Sequence, residues 1–153
     1  MSESNPTTPA ASRCEYTWAF LILRLFLGLR TFFEGVEKFE KGGTYSFANY
    51  YENMGRMAQG ITGASFLPLW ATRNYAHSLG YILLVLGAAL LLGVKTRATL
   101  ILTGLLYVSL SFGLMAVQEN EGVAWLGVYI GIIAGALVLV RHDRFALWRG
   151  RSD

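Results

Sequence analysis

Tyr75 to Val117 reads YAHSLGYILLVLGAALLLGVKTRATLILTGLLYVSLSFGLMAV, and the way this stretch divides decides the fold. It holds two apolar runs, Tyr75–Val94 and Ala98–Val117, parted by Lys95–Thr96–Arg97. The first run carries His77 as its one ionisable break, and the second carries no charge. About 20 apolar residues in a helix cross a hydrocarbon core of roughly 30 Å. A three-residue turn between two such spans forces them to run antiparallel. Toward the C-terminus, Gly122–Val140 forms a further uncharged run after the acidic Gln118–Glu119–Asn120–Glu121 turn.

Toward the N-terminus, Tyr16–Phe39 is equally apolar in its first half but contains Arg24, Arg30, Glu34, Glu37 and Lys38. A helix turns 100° per residue, which places Gly28, Thr31, Gly35 and Lys38 within about 40° of Arg24. Arg30, Glu34, Glu37 and Lys41 form an adjoining stripe, and the opposite face is Leu25, Phe26, Leu29, Phe32, Phe33, Val36 and Phe39. An arginine facing lipid at the centre of a helix costs about 2.5–3.5 kcal/mol, so the charged face is expected to turn inward. Arg30 can pair with Glu34 and Glu34 with Lys38, each one turn apart. Arg24 has no acid within a turn. It requires a partner on another helix, a carbonyl, water or a bound anion.

These segments predict an all-α membrane protein, an antiparallel bundle of four transmembrane helices at about 16–39, 69–94, 98–117 and 122–140. The long first connection repeats Phe47, Tyr50, Tyr51, Met54, Met57, Ala58 and Ile61 at helical spacing. This predicts a short amphipathic helix over about 46–60, at the interface or dipping into the bundle mouth. Basic residues (Arg13, Lys95, Arg97, Arg141, Arg144, Arg149 and Arg151) gather on one side, so the positive-inside rule places both termini in the cytoplasm of an inner-membrane protein. The domain is expected at 15–148, between a disordered tail at 1–14, without a signal-peptide core, and a short tail at 149–153.

Composition agrees, with 54% hydrophobic and 15% charged residues against about 25% charged in soluble domains. The net charge of +3 without a long basic run argues against nucleic acid. A lone cysteine, Cys14, forms no intrachain disulfide and no iron–sulfur site. No metal cluster, phosphate loop or nucleophile elbow is present, so no intrinsic metal is expected. His77 and His142 fall toward opposite membrane faces, which excludes a haem held by both.

At 1.5 Å per residue, Arg30, His77, Ser111 and Tyr129 are expected in one layer about 10–14 Å below the outer surface, with Tyr107 deeper, at the level of Arg24. His77 reads either as a packing residue or as part of a pocket with Arg24, Arg30, Glu34, Lys38, Tyr107 and Tyr129 for a quinone or lipid headgroup. Gly127, Gly131 and Gly135, spaced by four, let a helix approach closely. They either seat the first helix or mediate a homodimer.

The run LRLFLGLRTFFEGVEKF, Leu23–Phe39, resembles the opening helix of the DoxX/DoxD membrane proteins at Arg24, Gly28, Gly35 and Lys38. LGAALLLGVKTRATLIL, Leu86–Leu102, resembles that family's second signature, with Gly93 and Arg97 closing the second helix. The resemblance covers most of 16–148. It implies a four-helix inner-membrane protein, and the family includes subunits of quinone-linked oxidoreductases such as thiosulfate:quinone oxidoreductase. Relatives often carry an acid in the second helix, where this chain has His77. The function expected is a small subunit or accessory of such a system, with a membrane redox partner; the alternative is a non-catalytic assembly or scaffold protein. Four short helices without broken spans argue against a transporter.

Overall fold

The computed structural model describes residues 10–143. Residues 1–9 of the tail expected at 1–14, the end of the expected domain at 144–148 and the tail expected at 149–153 lie outside them, with Arg144, Arg149 and Arg151. The chain is helical, in the order α1 (Ala10–Glu37), α2 (Phe47–Ala64), α3 (Leu69–Leu92), α4 (Thr96–Ala116) and α5 (Asn120–Leu139), closed by a 3-10 turn at Val140–His142. A two-stranded hairpin, β1 (Glu40–Lys41) and β2 (Thr44–Tyr45), stands between α1 and α2. By length and composition α3, α4 and α5 can each cross a membrane. α1 opens at Ala10, inside the stretch expected to be a tail.

α1 and α3 lie antiparallel at backbone contact. A Cβ on Gly28 would sit 2.9 Å from Leu91 Cγ, one on Gly35 2.9 Å from Leu84, and one on Gly87 2.5 Å from the backbone nitrogen of Phe32. Only hydrogen at these three positions permits such an approach. Exposed along the middle of α1 are Ile22, Leu25, Phe26, Leu29 and Phe33, while Arg24, Leu27 and Thr31 are buried; Glu37, at the helix end, is exposed. The polar face therefore turns inward at Arg24 and Thr31, whereas Glu37 and Lys41, expected on the same side, are exposed.

α3 ends at Gly93, whose φ of +71° gives the left-handed cap. The Gly93 N–H donates to Leu90 O and the Val94 N–H to Ala89 O, the paired bonds that close a helix before a tight turn. α4 follows after Lys95 and packs chiefly along α5. Ile133 and Ala136 are the buried residues of α5.

The hairpin was not foreseen. Gly42 and Gly43 have φ of +60° and +80°, the two positive values that a two-residue turn matching strand twist requires. The Ser46 hydroxyl then caps α2 by accepting from the Asn49 N–H at 3.1 Å. α2 runs past the predicted end near 60 to Ala64, and its buried residues Tyr50, Met54, Ala58 and Ile61 form one stripe against α3 and α4. Tyr50 is fully enclosed, accepts from the Gly80 N–H at 3.2 Å and donates to the His77 carbonyl. Phe39, expected on the outer face of α1, instead stacks on Tyr50 with ring centroids 4.4 Å apart, because α1 ends and the chain turns back there.

Glu52 ties the hairpin to α2, accepting from Lys41 Nζ at 2.6 Å and from Arg56 at 2.9 Å. The hydrogen bond from Lys41, then its charge, then Arg56 hold the Glu52 carboxyl below its ordinary pKa. The tie is complete above the ordinary glutamate value and is lost as pH falls through the lowered one. A carbon-detected titration of Glu52 should therefore show a midpoint below that of a free glutamate, moving upward in Lys41→Met. An unshifted midpoint would disprove the link.

Candidate functional site

Two polar clusters interrupt the apolar interior, both built on α1. The first surrounds Arg24, which is 3% exposed. Its Nη1 donates to Asp143 Oδ1 at 3.0 Å, and the Thr96 hydroxyl donates to Asp143 Oδ2 at 2.6 Å. Asp143 follows the 3-10 turn after α5 and is itself 8% exposed. One carboxylate thus joins α1, the start of α4 and the end of the described chain. The partner that Arg24 required is an acid 119 residues away. Arg24 Nε is buried without a hydrogen-bond partner.

The second cluster lies one to four turns further along α1. Arg30 Nε donates to the Tyr129 hydroxyl at 3.1 Å, and its Nη2 pairs with Glu34 at 2.7 Å. Lys38 completes the local chain by donating to the other Glu34 oxygen at 3.1 Å. Thr31 and Tyr107 share a hydrogen bond of 2.9 Å, both fully or almost fully buried, and the Tyr107 and Tyr129 rings are 6.2 Å apart. Tyr107 therefore belongs to the level of Thr31 and Arg30, not to the deeper level of Arg24 where its count along α4 had put it. The Arg30 and Glu34 side chains keep about a third and a quarter of their surface accessible (34% and 23%), so this cluster opens at the α1–α5 seam.

The expected layer is otherwise divided. Ser111 donates back to the Tyr107 carbonyl within α4 at 3.0 Å. His77 is half-buried on the other side of α3, with its ring edge-on to Tyr51 of α2 at 5.3 Å. The rotation of α3 that carries His77 toward α2 was not readable in the sequence. Gly28 and Gly35 lie against α3, where a Cβ would meet Leu91 and Leu84. A Cβ at Gly127, Gly131 or Gly135 would meet nothing within 4 Å, so of the two expected roles these three do not seat α1.

A hollow of about 310 Å³ opens between α2 and α3, walled by Tyr51, Gly55, Ala58 and Gln59 on one side and by Leu69, Arg73 and His77 on the other. A second, of about 410 Å³, shares Leu69 and Arg73 and adds Trp70 and Asn74. Among the described residues no group of three or more His, Cys, Asp or Glu is placed to hold a metal ion.

Asp143 is the residue that sequence reasoning missed. Its signal was an acid standing among Arg141, His142 and Arg144, where the basic residues alone had been counted for orientation. Searches against family models, curated proteins and solved structures found no match to this chain.

Proposed function

We propose that the chain is a DoxX-like protein of the inner membrane, with α1 as a fourth span and both termini in the cytoplasm, serving as a small subunit or accessory of a quinone-linked oxidoreductase system. The observation that carries this reading is the Arg30–Tyr129 pair at the α1–α5 seam. The Tyr129 oxygen accepts from Arg30, which leaves its own O–H free to donate. A quinone carbonyl is an acceptor, and its flat apolar ring suits the neighbouring exposed Phe26, whose ring lies 6.4 Å from that of Tyr129. A guanidinium behind the phenol strengthens such a donor and favours the electron-rich, reduced headgroup. Electrons would come from a partner subunit.

The purified protein should bind a short-tailed benzoquinone, read by quenching of its tryptophan fluorescence. Tyr129→Phe and Arg30→Gln should each weaken that binding about tenfold, which corresponds to about 1.4 kcal/mol. Binding equal to wild type in both variants rules the headgroup site out. A second reading, a non-catalytic assembly protein, draws on the open face of Gly127, Gly131 and Gly135, which another helix could approach closely. Isolation of a stoichiometric partner with no quinone, released by Gly131→Leu, would select it.

A further inference from the structure

We propose that the hollow between α2 and α3 seats the phosphodiester headgroup of an anionic phospholipid, held by Arg73 with His77 and Gln59 beside it. The site stands apart from the Arg30–Tyr129 cluster and requires only that α3 be embedded in a bilayer.

Charge is the first ground. Arg73 is exposed, and among the described residues no carboxylate pairs with it. No acid lines either hollow. The acid on the adjoining stretch of α2, Glu52, is already engaged by Lys41 and Arg56. An unpaired guanidinium is a planar donor fork that matches a phosphate, and an imidazole and an amide add donors alongside it.

Amphipathic layout is the second. Arg73, His77, Tyr81 and Val85 follow one another at four-residue steps, so they form one stripe down α3. The stripe is polar at Arg73 and His77, aromatic at Tyr81 and aliphatic at Val85, with Tyr81 and Val85 both exposed. Exposed Phe66 and Trp70 flank the polar end, where aromatic rings mark a membrane interface. The first turn of α3 also has no side-chain cap, so its positive end adds to the field at the headgroup. A ligand with an acidic head and an apolar tail matches this sequence of surfaces; a free anion would use its first half alone.

Gly55 supplies a blocking variant, since it lines the hollow and a Cβ there meets nothing within 4 Å. The full chain should be purified with phosphatidylglycerol or phosphatidylcholine and examined by native mass spectrometry, with its melting temperature recorded alongside. We expect one phosphatidylglycerol retained per chain and phosphatidylcholine lost. Arg73→Gln should lower retention about tenfold, and Gly55→Phe should abolish it, both at wild-type melting temperature. Gly131→Phe, on the open face of α5, should retain lipid as wild type does. Equal retention of the two lipids, or full retention in Arg73→Gln and Gly55→Phe, overturns the proposal. Displacement of phosphatidylglycerol by inorganic phosphate at equal concentration overturns it too, in favour of a site for the free anion.

Discussion

Asp143→Ala should unfold the protein more readily than any other single change outside the α1–α3 seam. The substitution leaves Arg24 charged, enclosed and without its carboxylate, and leaves the Thr96 hydroxyl without an acceptor. Removing one partner of a buried ion pair costs about 3–5 kcal/mol, because the surviving charge keeps its desolvation penalty and loses its compensation. Arg24→Leu removes the guanidinium and strands the acid instead, so it should lower folded yield comparably. The double variant Arg24→Leu with Asp143→Leu should be milder than the sum, since no charge is left behind. Denaturation in mild detergent would read all three. Wild-type stability in Asp143→Ala would refute the pairing.

Gly87→Ala should be comparably severe by a different route. The added methyl would lie 2.5 Å from Phe32 N and 2.6 Å from its Cα, and a backbone cannot swing aside as a side chain can. α1 and α3 must separate, loosening the neighbouring Gly28–Leu91 and Gly35–Leu84 contacts with them. Overpacking of this kind costs about 1–3 kcal/mol or more. The same substitution at Gly127, Gly131 or Gly135 meets open space, and there alanine should gain up to about 1 kcal/mol each from helix propensity. Four alanine variants, identical in chemistry, thus separate a packed face from an open one by melting temperature. Equal behaviour of the four would mean that α1 and α3 are not in backbone contact.

The elements themselves were plain in the sequence, because runs of 20 apolar residues and the cost of a lipid-facing arginine leave few arrangements. The inward turn of Arg24 and Thr31 and the outward turn of Leu29 and Phe33 follow from helical phase within one element. What was not legible depends on the relative rotation of separate elements. The side of α3 that bears His77, and the level at which Tyr107 meets Thr31, are properties of packing between helices, and no count along one chain yields them. The Gly42–Gly43 turn did carry a local signal. It was passed over because two residues per strand leave no alternation to notice. Asp143 lay beyond the last apolar run, where a single acid among bases looks like part of a solvated end.

The separation of Arg24 from Asp143 bears on how the molecule is made. At roughly 5–20 residues per second, the ribosome delivers the carboxylate on the order of ten seconds after the guanidinium. Throughout that interval Arg24 lacks the carboxylate that it pairs with in the folded protein, and α2 to α5 have all been synthesised before that carboxylate arrives. A nascent chain halted before Asp143 should therefore hold its first helix loosely, open to quality-control proteases.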